Sequence, residues 1–165
     1  MTAGLQADTA NPRYYTIRLL DTNVGTSAVP TEQAAATALA AVPTAAQFYD
    51  LAPLGLPSAV FSADWEIYVH NVAGTDAVAC TVRLWAYNRT TALIYPWGVG
   101  TGALKGIIND GASIDTSITD KVRHWERIEG PGMCDGIMAQ STASAGTGSE
   151  SFTVDVRCPK NVAGI

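Results

Sequence analysis

Charge is scarce in this chain. Only 15% of its 165 residues are Asp, Glu, Lys or Arg, against about 25% in an average soluble domain, and Ala, Thr, Ser and Gly fill the deficit. A surface of that kind suits permanent assembly better than a solitary existence, in which charge keeps molecules dispersed. The 10 Lys and Arg are scattered singly among 15 Asp and Glu, for a net charge of −5. Without a basic cluster, no nucleic-acid partner is expected. Long apolar runs are missing as well: the longest, residues 34–42, is interrupted by Thr37 and falls short of the roughly 20 residues a membrane helix needs. No membrane association is expected. The opening MTAGLQADTANPR lacks the charged-then-apolar layout of a secretory signal, so synthesis in a cytoplasm is expected.

The residues that usually carry chemistry are equally sparse. His70 and His124 are the only two histidines; each falls on a predicted strand with no second His or Cys close by, so neither is assigned to a metal or a catalytic triad. Three cysteines, Cys80, Cys134 and Cys158, stand 54 and 24 residues apart, which is no metal-ligand spacing; free buried thiols are expected. There is no G-x-S-x-G and no Walker loop. The glycine-rich GVGTG at residues 98–102 leads into a strand-like run and not into a helix, as a phosphate loop must. Carboxylate pairs drawn from Asp64, Glu66, Glu126, Glu129 and Asp135 are available to any acidic protein, and nothing in the pattern sets their pKa values apart. The Asn88-Arg89-Thr90 sequon is read as a chance match in a Thr-rich turn. No enzymatic activity, cofactor or metal is expected.

What the chain does have is strand after strand. In residues 64–88, Trp65, Ile67 and Val69 alternate with Glu66, Tyr68 and His70, and Val78, Cys80, Val82, Leu84 and Ala86 alternate with Ala79, Thr81, Arg83, Trp85 and Tyr87. A period of two buries one face of a strand, and Ala73-Gly74-Thr75-Asp76 between the halves predicts an antiparallel hairpin. Further strands are predicted at residues 14–20, 92–97, 102–108, 113–118, 121–128, 136–140 and 151–158, separated by Gly, Asn, Pro and Ser turns. The fold class that follows is all-β, an antiparallel, jelly-roll-like sandwich. Residues 58–165 are expected to form it. Residues 1–57 are expected to be an N-terminal arm and connector, extended over 1–13, with one short helix near 31–41 that Thr31 caps and Pro43 ends.

Two sets of residues stand out as candidate contacts. Residues 47–57, QFYDLAPLGLP, interleave Phe48, Tyr49, Leu51, Leu54 and Leu56 with Pro53, Gly55 and Pro57; prolines forbid a central strand while the apolar side chains demand burial. Either the segment plugs the end of the sandwich or it packs on a neighbouring subunit, in which case Tyr14, Tyr15, Phe48, Tyr49, Leu51, Leu54 and Leu56 are the assembly contacts. Trp85, Tyr87, Tyr95 and Trp97 form the second set, aromatics clustered within thirteen residues that either fill the core or stack on a ligand.

The strand pattern WEIYVHNVAGTDAVACTVRLWAYN, the Gly/Thr/Ala-rich loops, the closing SFTVDVRC and the Ala/Thr/Pro-rich N-terminal region resemble the small β-sandwich virion structural proteins of tailed bacteriophages, the head decoration (cement) proteins and tail-fibre-type modules. The resemblance covers about residues 59–157 and carries over no catalytic residues. It implies a non-enzymatic capsid decoration protein, located in the virion, that forms a homotrimer and binds other virion proteins such as the major capsid protein. The alternative it leaves open is a carbohydrate- or receptor-binding module of a tail fibre or neck, with Trp85, Tyr87, Tyr95 and Trp97 as the stacking surface.

Overall fold

Strict alternation along the chain becomes two facing sheets in the computed structural model, which describes residues 11, 13–21, 42–73, 79–98, 100–109, 114–115, 121–143 and 151–162. Nine strands are found: β1 (Tyr14–Asp21), β2 (Tyr49–Asp50), β3 (Asp64–Ala73), β4 (Ala79–Asn88), β5 (Leu93–Pro96), β6 (Ile114–Asp115), β7 (Lys121–Glu129), β8 (Gly136–Ala143) and β9 (Ser151–Pro159). Sheet A has the order β1-β9-β3-β7, and sheet B the order β2-β8-β4-β5 with β6 added on β4. Every pairing is antiparallel. Setting aside the two-residue β6, the first strand lies beside the last in one sheet and the second beside the second-last in the other, which is the order of a jelly roll. The expected fold class is thus the observed one. Among the described residues no helix is long and apolar enough to cross a membrane.

The inward phases of both sheets meet in one core. Ile17, Leu19 and Leu20 of β1, Trp65, Ile67 and Val69 of β3 and Val154 and Val156 of β9 face Val82 and Leu84 of β4 and Ile137 and Ala139 of β8. Each large apolar side chain removed from water contributes about 1.5–3 kcal/mol. Trp65 and Trp97 meet edge to face with centroids 5.4 Å apart, and their ring N–H groups donate to Val60 O at 2.8 Å and Glu129 O at 2.7 Å, so neither is buried with an unmet donor. Close backbone approach fixes two glycines. A Cβ on Gly106, which has φ +81°, would sit 2.8 Å from Leu84 O, and one on Gly130 would sit 2.3 Å from Phe61 O.

Three expectations about organisation are corrected. The predicted hairpin of residues 64–88 is no hairpin: β3 pairs with β7 and β9 while β4 pairs with β5, β6 and β8, so the two strands belong to opposite sheets. Alternation specifies which face is buried, and two strands covering the same core from opposite sides alternate alike. The division at residue 57 also fails, because β1 runs the length of β9, β2 pairs with β8, and Phe48, Tyr49 and Leu51 are buried. Residues 102–108 form no strand; a single 3₁₀ turn at Gly102–Leu104 and one bridge, Ile107 to Arg83, stand there instead. The expected helix near 31–41 and the first ten residues of the expected arm lie outside the described residues.

Candidate functional site

The aromatic set predicted to stack on a ligand is dispersed and mostly covered. Trp97 is 3% exposed in the main core and Trp85 4% exposed on the far side of sheet B. There Trp85 joins Phe48 and Met138 in a second, smaller apolar cluster, donates its ring N–H to Gln140 Oε1 at 2.9 Å and lies under the Arg83 guanidinium, 5.7 Å away. Tyr87 packs against Phe48 at 5.5 Å. Tyr95 donates its hydroxyl to Pro131 O at 2.7 Å, and burial, aided by Cys134, pushes its pKa up to about 12. These four therefore make no common platform. Their phase says that they point away from a strand's other face, and it is silent on whether a second layer covers them.

The assembly set divides similarly. Phe48, Tyr49 and Leu51 are used within the chain's own fold, at 6%, 6% and 2% exposure, so they are not available to a neighbour and the plug reading of the segment holds for them. Tyr15, Leu54 and Leu56 are half-buried against the same core, Tyr15 reaching Leu54 O at 3.5 Å. At this end of the sandwich the connector meets the 88–93 turn and the 130–135 loop through Leu51 N to Asp135 O at 2.8 Å, Asp135 N to Tyr87 O at 2.7 Å and Asn88 Nδ2 to Met133 O at 3.1 Å. Leu93 and Met133 stand here 55% and 61% exposed, and a shallow cleft of about 190 Å³ opens between Leu51, Leu56, Phe61 and Asp135. This end of the sandwich thus exposes large apolar side chains beside an ion pair, Arg89 to Asp50 at 3.6 Å. Tyr14, by contrast, belongs to a different surface.

That surface is the outward face of sheet A. Register puts Tyr68 of β3 directly opposite Trp125 of β7 and Asp155 of β9, and Glu66 opposite both Arg127 and Arg157. The Tyr68 hydroxyl donates to Glu66 Oε2 at 2.8 Å and accepts from Arg157 Nη1 at 3.3 Å; the same guanidinium lies 3.7 Å from Glu66 Oε2. Arg157 is also set over two rings, 5.0 Å from the centroid of Tyr68 and 5.7 Å from that of Tyr14. Burial, and then the bond to Glu66, raise the Tyr68 pKa above its ordinary value. Arg18 and Asp155 close the next row, Nε to Oδ1 at 2.9 Å and Nη2 to Oδ2 at 3.3 Å. Trp125 projects from the edge strand with 49% of its surface exposed. Sequence reasoning gave this phase of β3 no role and assigned no face to β7. The signal it passed over was the aromatic residue recurring among charges, in EIYVH and HWER.

Two further groups complete the survey. His124 and Glu126, two apart on the inward phase of the edge strand β7, pair at 2.6 Å between Nε2 and Oε2, and Asn109 N donates to the same oxygen at 2.9 Å. Burial opposes ionisation of Glu126, but the bonds from His124 and Asn109 prevail and hold its pKa below the ordinary value. Cys134 and Cys158 are free and buried, and desolvation pushes both thiols up to about 12, the opposite of what a nucleophile requires. Among the described residues no three His, Cys, Asp or Glu side chains converge as a metal site would need. What the arrangement offers chemically is adhesion, through an end with exposed apolar side chains and an aromatic, hydrogen-bonding sheet face. A comparison with protein-family models, with curated proteins and with solved structures finds no match to this chain.

Proposed function

We propose that this chain is a non-enzymatic virion structural protein, a capsid decoration protein of a tailed bacteriophage that stabilises the head by contact with copies of itself and with the major capsid protein. The observation that carries the reading is the jelly-roll strand order, an architecture that viral capsid domains use. The low charge of the surface supports it. The contact proposed is this end of the sandwich, through the half-buried Leu54 and Leu56 and the exposed Leu93 and Met133. A threefold axis through this end buries those side chains symmetrically, and the homotrimer is the assembly proposed.

Light scattering on the full chain tests this, with Leu93→Asp and Met133→Asp combined in a second protein. A trimer that falls to monomers on introducing the two carboxylates is the expected result. A full chain that stays monomeric at high micromolar concentration overturns the assembly reading. Truncation belongs before Asn11, because Asn11 Oδ1 accepts from Arg13 N and Tyr14 N at the start of β1. A chain beginning at Ser58 would lack β1 and β2 altogether.

A further inference from the structure

We propose that the outward face of sheet A is a binding site for a hexopyranose glycan, with Trp125 and Tyr68 as the stacking surface and Arg157 and Glu66 as the hydroxyl-bonding groups. This goes beyond the structural role proposed above and does not depend on it.

The argument begins with composition. On the described strands the outward phase of this face carries, among others, Tyr14, Thr16 and Arg18, Glu66, Tyr68 and His70, Trp125 and Arg127, and Thr153, Asp155 and Arg157, with Pro159 opposite Tyr14 at its margin. A protein interface is built around a buried apolar centre with charged residues depleted. This face instead sets aromatic rings directly among charges, and its Glu66 and Asp155 are of the kind that interfaces deplete. Sugars need that combination, because a pyranose ring presents an apolar face of C–H groups bounded by hydroxyls. An aromatic ring covers the first, and a carboxylate or guanidinium pairs with the second.

Geometry carries it further. Trp125 and Tyr68 stand on neighbouring strands in direct register, about 5 Å apart at the backbone, and their side chains are hydrogen-bonded to each other. Trp125 is half-exposed. Arg157 is held over Tyr14 and Tyr68 and against Glu66, so its donors are already oriented and little side-chain entropy remains to be lost on binding. Tyr68, bonded at its hydroxyl, is fixed in the same way. The four strands set the width of the site at about 14 Å, which suits an oligosaccharide segment better than a single sugar.

The test uses the full chain, fluorescently labelled, on a printed array of neutral and acidic hexopyranose glycans, followed by titration of the best glycan in solution with tryptophan fluorescence. Saturable binding is expected. Trp125→Ala should weaken it at least 10-fold, Trp125→Phe should restore most of the loss by returning an aromatic face, and Arg157→Gln should weaken it several-fold. Thermal melts of each variant report that the fold is retained. No binding anywhere on the array overturns the proposal, as does binding that survives Trp125→Ala. If Trp125→Ala instead dissolves an oligomer without touching glycan binding, the face is a contact between copies and the proposal is wrong.

Discussion

The two sheets of this jelly roll present outward faces written in the same style and treated in opposite ways. On sheet B the outward phase of β4 reads Arg83, Trp85, Tyr87; on sheet A that of β3 reads Glu66, Tyr68, His70, with Trp125 beside it on β7. Arg83 and Trp85 are 7% and 4% exposed, roofed by Phe48 and by the 102–107 loop, where Ala103 O accepts from Arg83 Nη2. Sheet A instead leaves Trp125 half-exposed. Its charges are matched to each other in the plane of the sheet, Arg18 with Asp155 and Arg157 with Glu66. An aromatic residue on the polar phase therefore means a second core on one sheet and an open surface on the other.

The sharpest way to break this comparison is to remove the two tryptophans separately. Trp85→Ala should cost about 3–5 kcal/mol in urea unfolding, the cost of a large aromatic taken from a packed site, whereas Trp125→Ala should cost less than about 1 kcal/mol. Equal losses would mean that the two faces are alike. A smaller effect is expected at the edge of sheet A. The Glu126 carboxyl ionises below its ordinary 4.5 in the folded chain, so the unfolded chain binds the proton more readily. Its contribution, of order 1 kcal/mol for a hydrogen bond to a charged group, is full above about pH 4.5 and is lost as pH falls through the lowered folded value. In Glu126→Gln that part of the acid dependence should vanish; an unchanged slope of stability against pH below 4.5 would remove the pair from the account.

Smaller still is the change expected at the in-plane ion pairs. Arg18→Gln should alter stability by less than about 1 kcal/mol, and by less again in high salt, because both partners are in part solvated. A loss of several kcal/mol would show that sheet A is covered after all. The thiols should give no signal: with Cys80→Ser as background, Ellman's reagent should find Cys134 and Cys158 unreactive at pH 8 in the native chain and both reactive in denaturant, given thiol pKa values pushed up to about 12 by burial. A native thiol that reacts at the rate of a free one would contradict their placement in the core.

Most of the strands were legible because the sequence states their period. Trp65, Ile67 and Val69, or Val154, Val156 and Cys158, could only be the buried edge of a pleated strand, and all are 0% exposed. The candidate site was less legible. Trp85 and Trp97 drew attention as a cluster, yet they are covered, while Trp125, single and flanked by charges, is the half-exposed one. For Phe48 and Leu51 the proline-interrupted segment left two readings open, a plug or a grip on a neighbour, and burial beside β2 and the turns next to it decides for the plug.

By itself, then, the sequence determined the inward phase of the regularly alternating strands, the lack of a basic cluster or of a long apolar run, and the all-β class, since each of these depends on local order and composition. Only the tertiary structure decided which strands pair, that β3 and β4 part to opposite sheets, and which outward face is roofed. Those choices join residues as distant as Arg18 and Asp155, 137 positions apart, and a period of two carries no record of so distant a partner.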